Sequence, residues 1–185
     1  FKKFNVATFP NKFMGLPIKK FIASTNSNDT VPSFLLSGDY KPKASIETIS
    51  NAMDVGDPSN IKRIMDIYGS VDIIKKDLCS WSFNDEETME QIQKTLIDNN
   101  YILDPHSAVG LLGLNKFSDC KNKDNQGIFL GTAHPAKFSD IIEPIIERNI
   151  EMPERLQKMM SEEKKSIKIK NDYVEFSDYL LKNFK

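Results

Sequence analysis

The sequence predicts an α/β domain: a mostly parallel, twisted sheet flanked by helices. Three observations carry that expectation. Short apolar runs, IKKFIAST (18–25) and IFL (128–130), stop at polar or glycine-rich clusters, as buried strands feeding loops do. Between and after them lie segments whose apolar residues recur at helical spacing. Helix-start signals precede these segments, which places helices and strands in alternation along one chain.

Taken in order, 18–25 reads as a strand that ends at TNSND. Asp57 followed by Pro58 offers an N-cap and a first-turn proline. Ile61, Ile64, Met65 and Tyr68 then mark one buried helical face. Asn84 with Glu87 three residues on has the form of a capping box, and Met89, Ile92 and Leu96 give the stripe of a second helix. Asp104 and Pro105 repeat the cap-plus-proline arrangement ahead of AVGLLGL, whose glycines imply close packing against a neighbour. Ile128 to Leu130, between Gly127 and Gly131, reads as a central strand. From Ser139 the pairs Ile141, Ile142 and Ile145, Ile146 are helical, with Pro144 expected to kink or divide the helix. Residues 1–150 form the α/β portion. Residues 151–185 read as a charged helical wrap that ends in an amphipathic helix around Phe176, Tyr179 and Leu180.

Composition narrows the function classes. The 185 residues can bury roughly two-thirds of the unfolded surface. Lys plus Arg (25) balances Asp plus Glu (26), which disfavours a nucleic-acid platform. No window approaches the roughly 18 apolar residues of a membrane helix. Cys79 and Cys120 lie far apart without CxxC spacing, so neither a disulfide framework nor a zinc cluster is indicated, and a cytoplasmic, reducing compartment fits. The chain opens on Phe1 rather than Met and without signal-peptide features, which reads as a segment of something longer.

In parallel sheets ligands collect beyond the carboxyl ends of strands. One such end carries Ser24, Thr25, Asn26, Asn28 and Asp29; the other carries Thr132, His134 and Lys137. Asn26 to Asp29 also read as a turn whose side chains bond their own backbone, and His134 as a paired structural histidine. His106 and His134 form no metal site with either cysteine by spacing. No GxSxG, GxGxxG or GxxxxGK[ST] motif occurs.

Five blocks go further: GLPIKKFIASTNSNDTVPSFLLSGDYKPK (15–43), TISNAMDVGDPSN (48–60), NDEET (84–88), LDPHSAVG (103–110) and GIFLGTAHPAKF (127–138). In content, order and spacing they resemble the threonine synthase family, in its bacterial and yeast branch. The resemblance implies the C-terminal part of a fold type II pyridoxal-phosphate enzyme, which converts O-phosphohomoserine and water to threonine and phosphate. It puts the Schiff-base lysine in an N-terminal half, the implied partner. The chain alone is then expected to be inactive and to hold no catalytic residue of its own.

By the same resemblance, Thr132 brings a hydroxyl to the pyridine nitrogen, and His134 and Lys137 shape the loop beneath the cofactor. Asp104 and His106 line the pocket floor, although Asp104 is also explained as a helix cap. Asn51, Met53 and Asp54 sit in a family-typical loop with no individual roles assigned. At the start the sequence departs from the family. Phe1 to Asn5 stand where a segment of the type SGNFGN holds the cofactor phosphate, with Phe4 at a glycine position and Pro10 inside the expected helix. A related phospholyase and a non-catalytic remnant are the competing readings. An upstream frame carrying the lysine favours an enzyme.

Overall fold

The computed structural model describes residues 15–117, 125–163 and 165–184. Phe1 to Asn5, Pro10 and Cys120, all singled out above, lie outside the described residues. The chain divides into two compact units at the junction of Ile150 and Glu151.

In the first unit, strand β1 (Phe21–Thr25) pairs in parallel with β2 (Leu78–Ser82), in register from Phe21 opposite Leu78 to Thr25 opposite Ser82. Between them run helices α1 (Thr30–Ser37), α2 (Ile61–Tyr68) and α3 (Val71–Asp77). Successive β1 side chains face opposite ways. Ala23 enters a cluster with Val31, Phe34 and Leu35 of α1, Ile61 and Ile64 of α2, Ile74 of α3 and Leu78 of β2. Each buried Ile, Leu, Val or Phe among them contributes about 1.5–3 kcal/mol relative to exposure. Ile22 and Ser24 face the other way, toward helix α5 (Pro105–Lys116). A Cβ at Gly113 would collide with the Ser24 hydroxyl, so the glycine is what lets α5 lie this close to the strand. The sheet is thus covered by helices on both faces, an α/β arrangement.

Helix α4 (Asp85–Asn99) begins with the capping box its sequence announces. Glu87 N–H donates to Asn84 Oδ1 at 2.8 Å, and Asn84 N–H donates to Glu87 Oε2 at 2.8 Å. Ile92 joins Leu103, Ala108 of α5 and Ile142 and Ile146 of α6 (Ser139–Ile146) in a second cluster.

Two expectations are corrected, and of the two outcomes expected at Pro144 one is excluded. Asp57 does not cap α2: the helix starts at Ile61 after Asn60, while Asp57 accepts the Tyr40 hydroxyl at 2.7 Å. Pro58 instead opens a turn into the helix, Ile61 N–H reaching the Pro58 carbonyl at 3.1 Å. Residues 128–130 form no strand. A strand needs a neighbour to pair with, and none is present among the described residues. Phe129 packs on the second cluster while Ile128 and Leu130 are 80% and 58% exposed. Pro144 does not divide α6. The carbonyl whose helical donor it removes is that of exposed Asp140, in the first turn. Elements α1, α3 and β2 were not anticipated, while α7 (Glu154–Ser161) lies in the segment read as helical.

The second unit holds α7 and α8 (Tyr173–Asn183), the latter capped by Asp172 Oδ1, which accepts Glu175 N–H at 2.9 Å. The amphipathic helix expected around Phe176 is therefore present, with no fully buried residue. Among the described residues no helix is long and apolar enough to cross a membrane.

Candidate functional site

Past the end of β1 the chain buries its polar side chains. Asn26 is 1% exposed, and its Nδ2 lies 2.7 Å from Thr48 Oγ1, 2.8 Å from Asp54 Oδ1 and 3.1 Å from Ser50 Oγ. Its Oδ1 accepts the Asn28 backbone N–H at 3.0 Å, which is the local turn expected from sequence. Asn28 then pairs with the backbone of Ile46 as a second strand would, donating to the carbonyl at 2.9 Å and accepting the N–H at 2.8 Å. Asp54 gathers the network, accepting Thr48 N–H at 3.1 Å and Thr48 Oγ1 at 2.7 Å. Asp29 pairs with Lys43 at 2.6 Å, and that ammonium, with help from Ser33, holds its carboxyl below the ordinary carboxylate value.

A second hub stands at the start of α5. Asp104 caps it, its Oδ1 accepting His106 N–H at 3.0 Å and Ser107 N–H at 3.3 Å, while Oδ2 takes the Ser107 hydroxyl. Burial raises the Asp104 pKa, and the hydrogen bonds from His106 and Ser107 outweigh it, leaving the carboxyl below its ordinary value. His106 Nδ1 lies 2.9 Å from Asp104 Oδ1, and its Nε2 accepts Ala52 N–H at 3.2 Å. Ala52 sits in a single 3-10 turn, Asn51–Met53, and the ring of Phe138 packs on the imidazole at 5.0 Å.

Phe138 closes the third segment. Gly131 lies beside Ser107: a Cβ there would sit 3.7 Å from the Ser107 hydroxyl. Thr132 and His134 are exposed; His134 Nδ1 accepts Ala136 N–H at 3.2 Å and so caps the 3-10 turn Pro135–Phe138, which also carries exposed Lys137.

Of the residues singled out from sequence, Asp104 and His106 are thus joined to each other, and through Phe138 to the segment bearing Thr132, His134 and Lys137. The sequence reading missed Ala52, Phe138 and the linking role of Asp54. The one signal for Asp54 was that two loops, STNSND and TISNAMD, each concentrate short polar side chains. Thr25 Oγ1 is buried with no hydrogen-bond partner among the described residues.

Comparisons with known proteins identify the family. Residues 107–180 match the family model described as "Threonine synthase, C-terminal". The chain is 41% identical to the threonine synthase of Buchnera aphidicola (subsp. Schizaphis graminum) over 92% of its own length and 39% of that protein's. It is 42% identical to the Escherichia coli enzyme over 78% and 33%. Its fold superposes on the crystal structure of the E. coli enzyme with a TM-score of 0.79 at 35% identity, covering 95% of this chain and 40% of that one. On the PLP-bound threonine synthase from Brucella melitensis the TM-score is 0.80 at 26% identity, over 94% and 42%. The chain therefore spans about 40% of the length of the relatives it matches. With its sequence blocks and its fold both shared, the chain belongs to the threonine synthase family.

Proposed function

We propose that this chain works as the C-terminal part of a cytoplasmic, pyridoxal-phosphate-dependent threonine synthase, which converts O-phosphohomoserine and water to L-threonine and phosphate. The lysine that anchors the cofactor comes from polypeptide outside this chain. Residues 1–150 contribute the cofactor domain and 151–185 the charged helical wrap. The observation that carries the reading is convergence: three of the blocks shared with the family, around Asn51–Met53, Asp104–Ser107 and Thr132–Phe138, meet at His106.

The residues present fit the cofactor. The segment from Asn125 to Phe138 contains a hydroxyl, two amides, an imidazole and an ammonium and no carboxylate, a donor set suited to an anionic, phosphorylated ligand. Gly131 brings the backbone beside Ser107, and Thr25 offers a buried hydroxyl in need of a partner at the end of β1, where ligands collect in parallel sheets. When bound, pyridoxal phosphate supplies the electron sink for charge that develops at the substrate's Cα and Cβ.

This chain's residues do the orienting. The Thr132 hydroxyl serves the pyridine nitrogen; being neutral, it does not enforce a proton there as a carboxylate would. His134 caps the turn that presents Lys137, whose ammonium attracts phosphate. Asp104 holds the first turn of α5 from behind.

The test pairs the chain with the part of the E. coli enzyme that it does not match and measures phosphate release from O-phosphohomoserine. The assembly is expected to turn over and this chain alone to be silent; turnover by the chain alone would overturn the reading. In the assembly Thr132→Val, nearly isosteric, is expected to lose about 1–3 kcal/mol of transition-state stabilisation. Thr132→Asp is expected to shift the cofactor's absorbance by favouring a protonated ring nitrogen. Wild-type kinetics in the first and an unchanged spectrum in the second would remove Thr132 from the site.

A further inference from the structure

His106 is 6% exposed, and both of its ring nitrogens are committed within the protein. Nδ1–H donates to Asp104 at 2.9 Å, which leaves Nε2 to accept Ala52 N–H at 3.2 Å, and the two bonds together select one neutral tautomer. Neither nitrogen remains for a ligand. Asp104 caps α5 through backbone and Ser107 contacts of its own, so the helix start does not depend on the imidazole. What the imidazole adds is a link between segments far apart in sequence. Its Nε2 holds the turn bearing exposed Asn51, and its ring packs in a tilted contact with Phe138, the end of the segment bearing exposed Thr132.

We propose that His106 is a positioning residue that sets the Asn51–Met53 turn and the Thr132–Phe138 segment at a fixed spacing across the start of α5. The proposal rests on the reading above, in which those two segments border the cofactor. It makes Asn51, whose side chain is exposed on a turn with a pinned backbone, part of the same cofactor-facing surface as Thr132.

Three substitutions separate the link from simple packing. A glutamine carboxamide reaches the Nε2 position, an asparagine reaches only that of Nδ1, and phenylalanine keeps the ring but neither bond. In the 185-residue chain, amide exchange at Ala52 is expected to quicken about tenfold in His106→Asn and His106→Phe, the equivalent of one lost hydrogen bond. It is expected to return close to wild type in His106→Gln. The Lys137 amide, bonded to the His134 carbonyl at 3.0 Å, is expected to stay protected in His106→Phe because the contact with Phe138 persists. Wild-type exchange at Ala52 in His106→Phe would overturn the proposal, since packing alone would then suffice.

In the assembly with the E. coli complement, half-saturation by pyridoxal phosphate is expected to rise about tenfold in His106→Asn and to recover in His106→Gln. Equal cofactor affinity in the wild type and all three variants overturns the positioning role and leaves the proposed function standing. No cofactor uptake by the wild-type assembly, with the exchange pattern as expected, overturns the proposed function and leaves the mechanical link supported.

Discussion

The end of β1 and the stretch Ile128–Leu130 look alike in sequence and behave differently in the fold. Both are short apolar runs that stop at polar residues. At β1 the run is paired along its length with β2, is covered on both faces, and is followed by buried asparagines whose side-chain amides are fully engaged. At 128–130 Phe129 packs inward while Ile128 and Leu130 stand in the open. An apolar run specifies that a segment seeks cover; the partner that covers it has to come from elsewhere in the chain or beyond it. The first run finds cover 57 residues away, Phe21 opposite Leu78.

Substitutions at the two ends should measure that contrast. The largest effect is expected from Asn26→Ala, which strips donors from Asp54, Thr48 and Ser50 and an acceptor from Asn28. A loss of about 3 kcal/mol in urea unfolding is expected, and a loss below about 1 kcal/mol would mean that the network does not hold the β1 end. Gly113→Val comes next at about 2 kcal/mol, because its side chain must displace Ser24 and Ile22 from α5.

Asp104→Asn should cost about 1–2 kcal/mol at neutral pH through the weakened cap. Its pH dependence carries a definite sign. The folded carboxyl lies below the ordinary value of 3.8, so its contribution is complete above that value and is lost as pH falls through the lowered folded pKa. Urea midpoints of wild type and variant are expected to converge in that acid range, and a constant gap would contradict the assignment. The smallest effect belongs to Ile128→Ser and Leu130→Ser, each within about 0.5 kcal/mol in this chain alone. Binding of an apolar dye should fall in both, and a destabilisation comparable with that of Asn26→Ala would show that the run has an internal partner after all.

What was legible in the sequence was local. Asn84 with Glu87 and Asp104 with Pro105 act over three residues, and each stands where its spacing puts it. Strand 18–25 was recognisable from Phe21 onward because Ile22 and Ala23 lead into a polar cluster. Strand β2 was hidden. LCSWS has small polar residues at alternate positions, and it becomes a strand by pairing with β1 rather than by composition. Helix α1, TVPSFLLS, carries Pro32 in its first turn, which reads as a breaker, and α3, VDIIKKD, is seven residues long with only Val71, Ile73 and Ile74 apolar, too few to repeat over a second turn. The site followed the same rule. Asp104 declared itself as a cap, while the bond from Ala52 to His106 spans 54 residues and engages a backbone N–H that no residue type advertises. Asp54 and Asn26 are likewise 28 residues apart.

The centre of that buried network holds more acceptors than protons. Asn26 Nδ2 carries two hydrogens, and four oxygens lie within 3.4 Å of it: Thr48 Oγ1, Ser50 Oγ, the Ser50 carbonyl and Asp54 Oδ1. The hydroxyls of Thr48 and Ser50, 3.2 Å apart, can each act as donor to the other. Several arrangements of hydrogen therefore share one arrangement of heavy atoms, and passage among them needs hydroxyl rotation rather than backbone movement. The loop can be fixed in place while its protons stay degenerate, so loss of one acceptor, as in Ser50→Ala, is met by redistribution, whereas loss of the shared donor is met by nothing.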